Sequence, residues 1–226
     1  MVPTVYEGLE GVVVSRTALS DVDGEAGKLV IAGHSVEALG GKVSFEAARF
    51  LIRNGRLPAN SDEAAERASL GAARVRAFAE IAGCERALGA ADAMDALRAS
   101  IASLDSKVFG GDAALVGAVA VFASAHARLS RGLSPLAPDP TLPHATDVLS
   151  MTLGERSEAR ARALEAYLVT VMDHGLNAST FTARVVASTG SDDVSAITAA
   201  IGALKGPLHG GAPGPVPDML DAIGSP

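Results

Sequence analysis

Tryptophan is absent from this chain of 226 residues, tyrosine occurs twice, phenylalanine six times and cysteine once, at Cys84. A single cysteine excludes an internal disulfide, and a secreted disulfide framework would want an even number, so a reducing compartment is expected. Aromatic and β-branched residues favour strands, whereas alanine has the best helix propensity, and there are 44 alanines, which tilts the balance towards an all-α protein. The longest apolar run, Ala113 to Ala125, falls short of the roughly 20 residues that cross a bilayer, so no membrane segment is expected. No cationic start precedes an apolar stretch at the N-terminus, where Glu7 and Glu10 stand instead, and the cytoplasm is the expected location. Basic residues are outnumbered, 19 against 26 acidic, for a formal charge of −7. A nucleic-acid partner would want a basic stripe that is missing. An anionic substrate must then be met locally, by a few Arg or His side chains or the amide-rich start of a helix.

The length is ample for a core, as one large domain or two small ones. Two short β-branched runs between Gly11 and Gly33, around a polar turn from Asp21 to Gly27, predict a small N-terminal β-hairpin. Asp21 and Asp23 lack the further carboxylates of a calcium loop, and Gly27-Lys28 lacks the other elements of a phosphate loop. Helical periodicity follows over Val43 to Asn54, stopped by Gly55, then over Ser61 to Ala82, with Ser61 as N-cap, and over Ala91 to Leu104. Asp112 to Leu129 is the most apolar helix. Its small residues Ala113, Gly117, Ala120, Ala123 and Ala127 predict close packing against another helix, in the core or at an interface. Prolines at 135, 138, 140 and 143 make Leu133 to Pro143 a connection inside a helical fold.

Arg156 to His174 reads as a helix closed by a left-handed cap at Gly175, which would put His174 at the helix end. Asn177, Ser179 and Thr180 offer N-cap oxygens to the next helix, which runs to about Thr189. Asp192 and Asp193 open another, with Val194, Ile197, Ile201 and Leu204 as its apolar stripe. His209 follows in a glycine-rich turn, before a short helix around Val216 to Ile223. Each of these two histidines lies where glycines bring backbone close, a setting in which imidazole and amides can meet a small molecule together. A dipole partner or hydrogen-bonded structural role is the competing reading for either one. No Cys or further His stands at ligand spacing to either, which disfavours a metal site. The glycines around His209 follow no predicted strand, which disfavours a dinucleotide fold.

Two long segments in order, Asp173-His-Gly-Leu-Asn-Ala-Ser-Thr-Phe-Thr-Ala-Arg-Val185 and Ala203-Leu-Lys-Gly-Pro-Leu-His-Gly-Gly-Ala212, resemble the signature region of citrate synthases. Gly8-Leu-Glu-Gly-Val-Val13, Val43-Ser-Phe-Glu46 and Asn54-Gly-Arg-Leu-Pro58 extend the resemblance over essentially the whole chain. It implies a multi-helical homodimer that joins oxaloacetate and acetyl-CoA to give citrate and CoA, with acetyl-CoA a substrate and no separate cofactor. By motif match His209 is the histidine that hydrogen-bonds the thioester oxygen as the enol develops, and His174 hydrogen-bonds oxaloacetate. Ser179 orients the thioester-binding histidine. Asn177 belongs to the same motif without an assigned role, and Arg184, in mid-helix, is expected to be a packing or ion-pair residue. Residues 1–174 correspond to most of the large helical domain, and 175–226 to the active-site helices and the start of the small domain.

The chain departs from the family pattern in three places: Val171 stands where a further histidine is common, Ile31-Ala32-Gly33-His34 lacks an arginine, and Ala212-Pro213 replaces a commoner Ala-Asn. Family members also continue through an aspartate that takes the methyl proton and arginines that bind the dicarboxylate, and neither has a counterpart before Pro226. A histidine that donates to the thioester cannot also abstract the proton. The chain therefore reads as C-terminally incomplete and is expected to be inactive alone. Two alternatives stand beside citrate synthase: a 2-methylcitrate synthase using propionyl-CoA, and a non-enzymatic helical dimerisation module on the same scaffold.

Overall fold

The computed structural model describes residues 14–210 and 215–224, so the Gly8–Val13 motif and the Gly211-Ala212-Pro213 ending lie outside the described residues. A three-stranded antiparallel sheet opens the fold: β1 (Ser20–Asp23), β2 (Lys28–Ile31) and β3 (His34–Ser35) in the order β1-β2-β3. The expected hairpin is present but shifted, because Asp21 and Asp23 pair with Val30 and Lys28 instead of belonging to the turn. Asp23 Oδ1 accepts from the Ala26 amide at 2.9 Å, and that bond closes a shorter turn. The β2–β3 connection is the two-residue loop Ala32-Gly33, with φ of 46° and 85°. Positive φ at both positions matches the twist of the flanking strands, though Ala32 bears a steric cost that glycine would avoid.

Helices make up the rest: α1 (Val36–Leu39), α2 (Phe45–Asn54), α3 (Asn60–Ala79), α4 (Ile81–Leu88), α5 (Ala93–Ala102), α6 (Ser106–Phe109), α7 (Asp112–Leu129), α8 (His144–Leu153), α9 (Glu158–Thr170), α10 (Ala178–Ser188), α11 (Asp193–Leu204) and α12 (Pro215–Ile223). The all-α expectation with a small β element holds. Several boundaries differ. Ser61 is not the N-cap of α3. Ala59 occupies that position, and its amide donates to Asp62 Oδ2 at 3.0 Å. The expected 61–82 helix breaks at Glu80, whose amide turns back to the Ala77 carbonyl, and α4 starts anew. The prolines of the 133–143 connection hid α8, which starts directly after Pro143.

α7 is the central helix. Phe109, Leu115, Val121 and Phe122 from α6 and α7 pack with Leu88, Ile101 and Met151, and Val194 and Ile201 of α11 complete the same cluster. The small residues let α3 and α7 touch backbone to backbone. A Cβ at Gly117 would lie 2.7 Å from the Ala73 Cβ and 2.8 Å from the Ala73 carbonyl carbon. α7 is also long and apolar enough to cross a membrane by length and composition alone, but half of it is buried within the protein, as befits a core helix. The proline-rich connection is pressed onto α3 as well, since a Cβ at Gly71 would lie 2.2 Å from the Pro140 carbonyl oxygen. A smaller cluster, Ile31, Leu39, Ala48, Leu51 and Val169, joins the sheet to α1, α2 and α9.

Candidate active site

α9 ends at Thr170, with Val171 as its C-cap residue. His174 therefore sits in the irregular segment beyond the helix, not at its end, and Gly175, although its φ is 87°, is not the cap of α9. The helix stops early because the amide of Val171 closes the last turn on Tyr167 and the chain then bends, with Asp173 Oδ1 accepting from the Gly175 amide at 3.1 Å. The edge of the sheet abuts this segment, with Val22 and Ser20 of β1 within 4 Å of a Cβ at Gly175. The His174 side chain is exposed.

Asn177 caps α10. Its extended backbone (φ −131°, ψ 178°) directs the side-chain oxygen back over the first turn, where Oδ1 accepts from the Thr180 amide at 2.9 Å. This is the local reason for a helix start here, because the first amides of a helix have no partner within it. The same oxygen lies 2.8 Å from Ser179 Oγ, and Ser179 Oγ lies 2.9 Å from His209 Nε2. A turn after α11 delivers His209: its own amide donates to the Gly206 carbonyl, and the Gly210 amide to the Leu204 carbonyl at 3.0 Å. A Cβ at Gly210 would fall 2.5 Å from that Leu204 oxygen, so glycine is required where the chain folds back. Three of the four residues singled out by sequence thus form one hydrogen-bonded chain, Asn177–Ser179–His209. His174 stands three residues before Asn177 on the same segment and is no member of that chain. Arg184 forms no ion pair among the described residues and donates to Ser15 Oγ at 2.8 Å.

A second polar cluster, which sequence reasoning passed over, lies deep in the fold. Arg74 donates through Nε to Asp147 Oδ2 at 2.6 Å, through Nη1 to His144 Nδ1 at 3.0 Å and through Nη2 to the Leu142 carbonyl at 3.1 Å. The His144 amide donates to Glu46 Oε1 at 2.7 Å, and Phe45 stacks on the imidazole with centroids 4.8 Å apart. Arg74 and Glu46 are wholly buried and His144 is 4% exposed. Burial first, then the positive charges of Arg74 and Arg49, push the His144 imidazole down to about 3. Glu46 was visible as part of Val43-Ser-Phe-Glu46, but nothing in the sequence linked it to Arg74 or His144. The one usable signal was the Ala145, Val148, Met151 spacing after Pro143, which marks a helix with an inward face.

An apolar groove of about 460 Å³ runs along α7, bounded by Val116, Val119 and Ala123 and by Leu164 and Leu168 of α9. Among the described residues, Asp112 and His144 bring the ionisable groups to it. Among the described residues no cluster of three His, Cys, Asp or Glu side chains is placed to hold a metal ion.

The two motif-bearing segments meet at His209 within a helical fold, and comparison with known proteins gives that fold a family. A family model described as "Citrate synthase, C-terminal domain" matches residues 8–226. The chain belongs to the citrate synthase family. It is 39% identical to a citrate synthase of Mycolicibacterium smegmatis, over 99% of this chain and 62% of that protein. It is 37% identical to a 2-methylcitrate synthase of Mycobacterium tuberculosis, over 99% and 60%. The crystal structure of citrate synthase from Thermotoga maritima superimposes with a TM-score of 0.82 at 33% identity, over 98% of this chain and 62% of that one. The chain thus spans about three-fifths of the length of these relatives.

Proposed function

We propose that this chain carries part of the active site of an enzyme that condenses oxaloacetate with an acyl-CoA, releasing citrate or 2-methylcitrate and free CoA. The observation that carries the reading is the His209–Ser179 contact of 2.9 Å inside the matched motifs. An imidazole anchored on one nitrogen presents the other at a fixed angle, as stabilising a developing enolate oxygen requires, because a group already in place needs no reorganisation. His174, exposed on the adjoining segment, takes the oxaloacetate side of the same reading. Residues 1–174 are assigned to the large helical domain and 175–226 to the active-site helices and the start of the small domain. The acyl-CoA is a substrate, no cofactor is invoked, and the protein is assigned to the cytoplasm. The similar identities to a citrate and a 2-methylcitrate synthase keep both acyl groups within the proposal, while the names of these relatives give a non-enzymatic module no support.

A homodimer belongs to the same reading. Val116 and Val119 are half-buried and Ala123 is exposed along the groove, leaving one side of α7 open to a second copy. Sedimentation as a monomer at micromolar concentration would overturn it.

The matched motifs supply neither a base for the methyl proton nor arginines for the dicarboxylate, so the 226 residues alone are expected to release no CoA. The catalytic test is a chimera in which these residues are completed by the C-terminal part of the Mycolicibacterium smegmatis relative, assayed for CoA release with oxaloacetate and acetyl-CoA or propionyl-CoA. Turnover is expected, with the kcat/KM ratio of the two thioesters giving the acyl preference. A folded chimera that releases no CoA with either thioester contradicts the proposal.

A further inference from the structure

The groove between α7 and α9 is apolar except at two points, and only one of them has bonding capacity left. Arg74 can only donate, so its 3.0 Å contact takes the lone pair of His144 Nδ1 and leaves the ring's proton on Nε2. Nε2 has no partner among the described residues, yet it is not one of the fully enclosed polar atoms, so it opens onto the groove that the ring lines. Phe45, stacked on the imidazole at 4.8 Å, fixes the direction of that N–H. The ring is 4% exposed and, held down to about 3 by burial and then by the charges of Arg74 and Arg49, is uncharged at neutral pH. Asp112, the other ionisable group, is already engaged. Its Oδ2 meets Arg49 Nη2 at 2.8 Å and Arg53 Nε at 3.1 Å, and its Oδ1 accepts from the Ala113 amide at 2.9 Å. We infer that the groove is a binding site for an uncharged apolar molecule bearing a carbonyl oxygen, which accepts from His144 Nε2 while the apolar part lies along α7.

The single neutral donor decides the ligand class. A hydrocarbon covering Nε2 would leave a buried N–H without a partner, which costs the desolvation of that group. A carboxylate would give up its hydration for an uncharged donor beside Asp112, and an ammonium would set N–H against N–H. A carbonyl oxygen satisfies the nitrogen and brings no charge into the aliphatic walls of Val116, Val119, Leu164 and Leu168. The volume of about 460 Å³ falls within the range of small-molecule pockets, about 300–1,000 Å³. His209 does not line the groove, so the site is separate from the one assigned to condensation. It shares α7 with the face assigned to a second copy, and ligand and second copy would compete there.

The test uses the 226-residue chain at neutral pH, at protein concentrations below those used for sedimentation. The probe is prodan, an uncharged aromatic ketone whose emission reports transfer from water, and 2-nonanone and nonylammonium are compared as competitors. Prodan should bind, and 2-nonanone should displace it at a concentration about tenfold lower than nonylammonium. His144→Phe keeps a ring against Phe45 and removes the donor, and should weaken 2-nonanone by about fivefold, the equivalent of one hydrogen bond. Should His144→Phe not fold, Ala123→Trp, at an exposed position on the groove, fills the site and is expected to abolish prodan binding. No prodan binding, equal displacement by ketone and ammonium, or an affinity that His144→Phe (or Ala123→Trp in its place) moves less than twofold overturns the inference. The readout involves neither turnover nor oligomeric state, so its failure leaves the condensation and homodimer readings to their own tests.

Discussion

His144 and His209 stand in opposite settings, one imidazole enclosed in the interior and the other half-buried beside the first turn of α10. Around His144 the lone pair of Nδ1 is consumed by Arg74, the ring is covered by Phe45, and burial holds it neutral. Around His209 one ring nitrogen, Nε2, meets Ser179 Oγ at 2.9 Å and the ring is half-buried. A histidine enclosed and bonded inside the fold contributes rigidity, while a half-buried one bonded on a single nitrogen leaves the other nitrogen available. The surroundings follow suit: Arg74, Asp147 and Glu46 are each bonded in the interior, whereas the His209 chain lies near the surface.

This contrast can be broken by mutation. Arg74→Met strands Asp147 and the His144 lone pair in the interior and should cost about 3–5 kcal/mol in urea unfolding; a cost below about 1 kcal/mol would show that the cluster is not structural. Gly117→Ala forces a methyl group into the Ala73 backbone and is expected to cost about 1–3 kcal/mol, read the same way. Acid separates the two histidines further. His144 is lowered to about 3 in the fold against about 6.5 in an unfolded chain, so the unfolded state binds the extra proton between those values. Its contribution is whole above about pH 6.5 and falls with pH by at most about 1.4 kcal/mol per unit down to pH 3. Denaturation midpoints between pH 7 and 4 should show this slope diminished in His144→Gln, and an identical slope in the variant would remove His144 as its source. His209→Gln, at the surface, should change stability by no more than about 0.5 kcal/mol.

The sequence exposed these two regions unequally. The caps and glycines around Asn177 and His209 were legible from local causes, since the Thr180 amide needs an acceptor and Gly210 must pass the Leu204 carbonyl, while the link between Ser179 and His209 came from the resemblance to citrate synthases. The Arg74–His144–Asp147–Glu46 cluster joins α2, α3 and α8 across up to 98 residues of chain, and no local pattern encodes such a meeting. Propensity likewise gave α7 its bounds but overran α9, where residues 171–174 keep a helical apolar pattern while the chain turns towards β1. The partner of the lone arginine of α10 was beyond local reading too, Ser15 lying 169 residues away.

The most direct measurement of the central claim is kcat for His209→Gln and His144→Gln in the completed chimera, each confirmed folded. A fall of about 100-fold or more for His209→Gln, with kcat unchanged for His144→Gln, is the predicted result. Equal losses in the two variants, or a loss confined to His144→Gln, would contradict the assignment of the chemistry to His209.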